Sequence, residues 1–337
     1  MVKRIGNLWD KIVNLQNIEL AFDRAIRGKS SRRNIRKAKA DKEQIIHYIY
    51  NLLKSGKYRT SKYKTKKIYE PKERTIYILP LVPDRIVHHA IMNILEPIWD
   101  SRLISNTFSC RLGKGQHKGS QKVMQYINYY PYVLKNDISK FYPSINHTVL
   151  KQIIRRKIKD EKVLGLLDEI IDSIDGDSNV PIGNYLSQWF GNLYLDSLDR
   201  YITQELGFTA YIRYCDDFIT FGKSKHELYT LNSLIKEFIH NELKLKLSKS
   251  SVFSVNRGID FLGYRHFPSY ILIRKSTVKR MKRRLLRIPY QLKHKIITRE
   301  QAESKLASFD GWINHANCHN LKNCDWFVKL QHYVELK

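Results

Sequence analysis

Tyr211-Ile-Arg-Tyr-Cys-Asp-Asp-Phe-Ile-Thr-Phe221 is the stretch on which the reading of this chain turns. Apolar and β-branched residues lead into Asp216-Asp217 and out again, a pattern that predicts two short strands joined at a tight turn. Two adjacent carboxylates at a hairpin tip repel each other, so stability alone gives no reason to keep them. A divalent cation removes the conflict. Hard oxygen ligands suit Mg2+, which takes one or two carboxylates and completes its shell with water and substrate phosphates. The bland alternative is a solvated Asp-Asp turn.

Working outward, Tyr132-Val-Leu-Lys-Asn-Asp-Ile138 reads as a strand ending on Asp137, followed by Ser139-Lys-Phe-Tyr-Pro-Ser-Ile145. A lone Asp at a strand end is ordinarily a cap or turn residue. Paired with a second carboxylate hairpin, it becomes a candidate third metal ligand. Val180-Pro-Ile-Gly-Asn-Tyr-Leu-Ser-Gln188 contains a turn glycine and leads into a long helix carrying Phe190, Leu193, Leu195, Leu198, Ile202 and Leu206. After the hairpin, Leu228, Leu231, Ile235, Phe238 and Leu243 repeat at helical spacing over 225–243. Leu245-Lys-Leu-Ser-Lys249 follows, and then strand-like Gly258-Ile-Asp-Phe-Leu-Gly-Tyr264 and Tyr270-Ile-Leu-Ile273. Asp172, Asp175 and Asp177 form an acidic loop whose spacing does not fit a calcium loop.

Nearer the start, Leu8, Ile12, Leu15, Phe22 and Ile26 predict one amphipathic helix over 8–28. Lys29 to Lys42 reads as a basic connector. A second helix, capped by Asp41, buries Ile45, Ile46, Ile49, Leu52 and Leu53 and ends at Gly56. Tyr58 to Leu81 alternates as strands with a basic face would, and Arg74 opens the best of them, in Lys72-Glu-Arg-Thr-Ile-Tyr-Ile78. Pro83-Asp-Arg-Ile-Val-His-His-Ala starts a helix to about Trp99, with His88 and His89 on its flank. Arg111-Leu-Gly-Lys-Gly-Gln-His-Lys-Gly-Ser120 reads as a flexible basic loop, with Arg111 and Lys114 able to meet a phosphate backbone. It lacks the spacing of a nucleotide-hydrolase phosphate loop.

Across 337 residues, 60 Lys and Arg against 32 Asp and Glu give a formal charge of +28, spread along the whole length. A folded chain this basic repels itself unless a polyanion neutralises it, which makes nucleic acid the leading partner. The opening residues lack an apolar signal core and no 18-residue apolar run occurs, so a soluble cytoplasmic protein without membrane partners is expected. Four cysteines are too scattered for a disulfide framework, and His315, Cys318, His319 and Cys324 make only half of an irregular zinc spacing. From Arg274 to Lys295 the chain is strongly basic, with Lys279, Arg280, Arg283 and Arg284 placed to meet a duplex backbone. The expected organisation is an N-terminal helix and connector (1–40), a mixed α/β domain (41–275) and a helical segment (276–337).

Taken in order, these stretches resemble a complete reverse transcriptase. Tyr214-Cys-Asp-Asp217 matches the family's Tyr-x-Asp-Asp hairpin, and Asp137 stands at its first catalytic aspartate. Phe261-Leu-Gly-Tyr264 resembles the primer-grip turn, with Lys249 near the lysine that precedes it. Pro83-Asp-Arg-Ile-Val-His-His-Ala resembles the fingers helix of bacterial enzymes of this kind, and Phe309-Asp-Gly-Trp-Ile-Asn-His-Ala316 their thumb motif. The resemblance implies a right-hand polymerase of fingers and palm plus a small helical thumb, of α/β (α+β) class. It implies two Mg2+ ions, with Mn2+ as a substitute, held by Asp137, Ile138, Asp216 and Asp217. It assigns nucleotide contacts to Arg74, Ser139, Lys140, Phe141, Tyr142, Ile182 and Gln188. Tyr142 falls at the steric gate against a ribose 2′-hydroxyl, and Lys249 is a general acid for the leaving pyrophosphate. Many members carry Gln-Gly-x-x-x-Ser-Pro where this chain has Ile182-Gly-Asn-Tyr-Leu-Ser-Gln188. That version resembles the enzymes of diversity-generating retroelements, which copy a template RNA with errors at adenines. The implied partners are template RNA, the RNA/DNA hybrid, deoxynucleoside triphosphates and a small basic ring-forming accessory protein. The other readings are a retron- or group II intron-type enzyme of ordinary fidelity and a non-catalytic RNA-binding scaffold.

Overall fold

Nine strands fall into three sheets in the computed structural model, which describes residues 4–29, 32–69 and 73–335. Lys72, at the head of the stretch quoted for Arg74, and Ser30-Ser31 of the expected connector lie outside the described residues. Strands β1 (Lys64–Ile68) and β2 (Arg74–Ile78) form an antiparallel ribbon with Ile68 opposite Arg74. A four-stranded sheet contains β3 (Tyr132–Ile138), β4 (Tyr211–Tyr214), β5 (Asp217–Gly222) and β6 (Leu247–Ser254) in the order β4-β5-β3-β6. Short strands β7 (Ile259–Phe261), β8 (Tyr264–His266) and β9 (Ile271–Ile273) complete an antiparallel meander.

The chain divides into two units. The first takes the residues up to Ser105 with Asp137–Gly207 and Ser233–Lys249. Its core is helical: Phe22 and Ala25 of the helix Leu15–Ile26 and Val87, Ile91 and Leu95 of the helix Ile86–Asp100 are fully buried. Trp99 meets Trp189 and Phe190 of the helix Tyr185–Arg200 at 6.4 Å between ring centroids. The second unit takes Asn106–Asn136, Phe208–Asn232 and the residues from Ser250. Val123, Val133, Ile212, Ile219, Ile259 and Phe261 form one of its cores. Ile273, Leu306, Phe309 and Phe327 belong to another, so β9 shares a core with the basic helical segment, and Cys318 and Cys324 pack against its edge.

Five local expectations are corrected. The helix expected over 8–28 is two, Trp9–Ile12 and Leu15–Ile26, because Asn14 caps the second by accepting from the main-chain N–H groups of Gln16 and Asn17. The connector is largely the helix Arg33–Ala40, since Ile35 and Ala38 find a buried place despite the surrounding charge. Asp41 precedes the helix Lys42–Lys54 but its side chain makes no capping bond, and Ile45 and Leu52 are only half-buried. His88 is buried, not at the helix flank. The basic loop also ends early, in the helix Gln116–Ile127. Gly119 lets Leu262 lie close against that helix: a Cβ would stand 2.7 Å from Leu262 Cδ1, which would have to turn aside.

Burial pushes the imidazoles of His88, His89 and His266 down to about 4. Nδ1 of His266 donates to the Ile259 carbonyl at 3.2 Å, which leaves Nε2 to accept from the Ser120 hydroxyl at 2.7 Å. A histidine whose folded pKa lies below its unfolded value of about 6.5 takes up its proton more readily when unfolded. The stability it contributes is intact above pH ~6.5 and lost as pH falls toward 4. Urea midpoints are expected to drop steadily over that window, with a shallower slope in His266→Asn.

Candidate active site

Tyr214 pairs with Asp217 across the hairpin, leaving Cys215 and Asp216 at the turn. Cys215 takes a left-handed conformation at φ 55°, which lets the chain reverse within two residues. Arg213 closes the turn from inside: it is wholly buried and its Nη1 donates to the Cys215 carbonyl at 3.1 Å. The thiol of Cys215 lies 2.8 Å from the Ser109 hydroxyl; its hydrogen bond to Cys110, together with burial, pushes its pKa up.

Asp216 and Asp217 are both half-buried. Lys135 Nζ lies 3.3 Å from Asp217 Oδ2 and 5.7 Å from the Phe261 ring centroid, and it donates to the Asp260 carbonyl. One ammonium thus joins the Asp-Asp hairpin to the turn Phe261-Leu-Gly-Tyr264. Phe261 and Tyr264 are buried, while Leu262 and Gly263 form the turn itself at φ 57° and 84°. Sequence reading missed Lys135. The signal was present, because residues two apart on a strand share a face and Lys135 stands two before Asp137.

Asp137, in the first unit, is half-buried at the penultimate position of β3, before the buried Ile138. The Ser248 hydroxyl donates to Asp137 Oδ2 at 2.5 Å and lies 3.1 Å from its carbonyl. Ser139 N–H donates to the Lys246 carbonyl at 2.8 Å, so the chain is pinned on either side of Ile138. Lys249, the expected general acid, is exposed on β6 beside Ser248. Ser248 itself was missed, since nothing local distinguishes a serine on a strand.

Lys140 adopts φ 44° and is exposed; Phe141 behind it is buried. Tyr142 is half-buried, and Gly191 makes room for it, because a Cβ there would stand 3.0 Å from Phe141 and 3.3 Å from Tyr142. Ile182 is half-buried and its carbonyl accepts from Tyr77 N–H at 2.8 Å, tying β2 to the turn before the helix Tyr185–Arg200. Gln188 is exposed and lines a cavity of about 400 Å3 with Arg85, His88, His89, Asn184 and Tyr185. Arg74 is exposed at the head of β2. In the second unit, Arg111 bonds the Thr107 hydroxyl at 2.7 Å and Lys114 lies over the Phe108 ring, so both turn back on their own loop. Lys279, Arg283 and Arg284 are exposed and Arg280 half-buried on the helix Lys275–Leu285. Among the described residues no group of three or more His, Cys, Asp or Glu stands together as a ready metal-ligand set.

The family model for reverse transcriptases, described as RNA-dependent DNA polymerases, matches residues 60–266. The chain belongs to the reverse transcriptase family. The match spans more than half of the chain and contains Arg74, Asp137, Tyr142, Ile182, Gln188, Asp216, Asp217, Lys249 and Phe261–Tyr264. Protein YkfC of Escherichia coli is 25% identical over 246 residues, covering 59% of this chain and 63% of that protein. The group II intron-encoded protein LtrA of Lactococcus lactis is 24% identical over 315 residues, covering 71% of this chain and 51% of that protein. This reverse transcriptase chain therefore spans less than two thirds of the length of either relative. A solved telomerase from Candida tropicalis, in complex with the TWJ fragment of telomeric RNA, aligns at TM-score 0.53 and 14% identity, covering 86% of this chain and 61% of that one. Fold class is as the sequence predicted: mixed α and β, of the right-hand polymerase kind. No helix among the described residues is long and apolar enough to cross a membrane.

Proposed function

We propose that this chain is an RNA-directed DNA polymerase that copies a template RNA into cDNA, and that it is error-prone at template adenines. The observation that carries the polymerase reading is the family match over 60–266, with Asp137, Asp216 and Asp217 all inside it. Three carboxylates and the Ile138 carbonyl are a hard-oxygen donor set, which suits Mg2+ or Mn2+. When bound, such ions would activate a primer 3′-hydroxyl and neutralise the triphosphate and leaving pyrophosphate. Asp137 and Asp216 are the ligands of first rank; Asp217 is second, its charge already met by Lys135. Ser248 orients the Asp137 carboxylate.

Tyr142, held against Gly191, excludes a ribose 2′-hydroxyl. Arg74, Ser139, Lys140, Phe141 and Gln188 contact the incoming deoxynucleotide, and Lys249 gives a proton to the pyrophosphate. The Phe261–Tyr264 turn holds the primer, while Arg111, Lys114, Lys279, Arg280, Arg283 and Arg284 meet the RNA/DNA hybrid backbone. Residues 41–275 act as fingers and palm and 276–337 as thumb, after the N-terminal 1–40. A small basic ring-forming accessory protein joins the complex in the cytoplasm.

Low fidelity follows from Ile182. A glutamine at that position hydrogen-bonds in the nucleotide pocket, whereas an isoleucine cannot. Discrimination is greatest where a misfit leaves polar groups unpaired, so an apolar residue lowers the penalty. Deep sequencing of cDNA made on a defined RNA tests this. Misincorporation is expected to cluster opposite template adenines and to fall about tenfold in Ile182→Gln, the worth of one well-placed hydrogen bond. The LtrA match favours a second reading, a group II intron-type enzyme of ordinary fidelity. Errors that are rare and evenly spread in the native protein would select it.

A further inference from the structure

A cluster of rings braces the turn Leu262-Gly263, and nothing above gives it a task. Leucine is disfavoured in the left-handed region that Leu262 occupies at φ 57°, so its neighbours must hold it there. Trp312, on the helix Arg299–Asn314, lies against the turn: a Cβ on Gly263 would stand 2.7 Å from its Cη2. Its ring stacks on Tyr264 with centroids 4.9 Å apart and planes at 27°. His117, on the helix Gln116–Ile127, lies with Nε2 2.8 Å from the Tyr264 hydroxyl. The same imidazole stacks on His315 at 4.4 Å and 8°, and meets Trp312 edge-on at 6.3 Å. Arg274 N–H donates to the Gly263 carbonyl at 3.0 Å. Three separate stretches of chain thus converge on two residues.

We infer that Trp312 and His117 are positioning residues, clamping the Leu262-Gly263 turn so that its main chain meets the 3′ end of a DNA primer in one orientation. The inference rests on the polymerase reading. A hairpin turn already fixed by β7 and β8 needs no aromatic brace for pairing alone, since the strands flank it directly. What the brace adds is rigidity at the tip, where a sub-ångström displacement of a reacting terminus is costly. Trp312 is only half-buried, so its indole keeps a solvent-facing edge beside the place where the primer strand would run. Stacking against a half-exposed ring tolerates any base, as a primer site requires.

The test measures binding and extension separately. Fluorescence anisotropy is recorded for an RNA/DNA hybrid with a recessed DNA 3′ end and for single-stranded RNA, without nucleotides. Trp312→Ala is expected to weaken binding of the recessed hybrid about tenfold, within the range of a lost stacking contact, and to leave single-stranded RNA within about twofold. Trp312→Phe restores affinity to within about threefold, because a ring remains against Gly263. His117→Ala, which removes the Tyr264 hydroxyl's partner, the ring stacked on His315 and the edge contact to Trp312, is expected to cost about threefold and serves if Trp312→Ala does not fold. Unchanged affinity, or an equal loss on both nucleic acids, overturns the clamp. Primer extension by the native protein is scored apart: hybrid discrimination without extension would keep the clamp and sink the polymerase, and extension without discrimination would do the reverse.

Discussion

Asp216→Asn is expected to abolish primer extension, by about three orders of magnitude or more, while leaving the protein folded. The change keeps the side chain's shape and removes its charge. In the proposed site that charge is a ligand to the ions that carry the reaction, and preorganised charge of this kind is worth several kcal/mol of barrier. Each ~1.4 kcal/mol is a factor of ten in rate. The stability effect runs the other way. Asp216 and Asp217 are adjacent like charges at the turn, and Lys135 lies beside Asp217. Removing one of the two charges relieves the repulsion, so the thermal midpoint should hold or rise. Single-turnover extension on an RNA template and a melting curve measure the two effects. Activity above a tenth of native would remove Asp216 from the catalytic set, and a function in cells that survives the change would favour the RNA-binding scaffold.

Gly183→Ala is expected to cost the first unit about 2–4 kcal/mol, the sum of a strained backbone conformation and overpacking. Gly183 sits at φ 116°, outside the region open to an L side chain. A Cβ there would stand 2.9 Å from the Tyr77 carbonyl oxygen and 2.9 Å from Ile76 Cγ2. The first neighbour is main chain of β2 and cannot swing aside. Relief would require β2 to move away from Ile182, breaking the Tyr77 N–H bond to the Ile182 carbonyl at 2.8 Å. Urea denaturation should show the loss directly. Hydrogen exchange should be faster at Tyr77 than in the helix Tyr185–Arg200, whose core contacts through Trp189 are untouched. A midpoint within error of the native protein would mean that the β2 ribbon is free to shift.

The elements that chemistry marks locally were legible from sequence. The Asp-Asp hairpin follows from apolar and β-branched residues on either side of a turn, the strand ending near Asp137 from the run Tyr132–Ile138, and the helix before Asn241 from apolar residues three and four apart. Each of these signals is complete within about fifteen residues. The errors fell where a short-range signal competes with packing. A charged stretch such as Arg33–Ala40 becomes helix once Ile35 and Ala38 are buried, and the apolar spacing of 8–28 cannot show that Asn14 will cap a new helix.

The carboxylates of the proposed site stand out in the sequence, and the groups that hold them do not. Ser248 reaches Asp137 across 111 residues of chain, and Trp312 reaches Gly263 across nearly fifty. Lys135 finds Asp217 only because the two strands stand side by side in one sheet. Sequence by itself determined the family, the order of its motifs and the residue types able to carry a phosphate-transfer reaction. Tertiary structure alone decided which serine and tryptophan support them, and which carboxylate Lys135 meets. A hydrogen bond, an ion pair or a ring stack depends on distance in space, and distance along the chain carries no record of it.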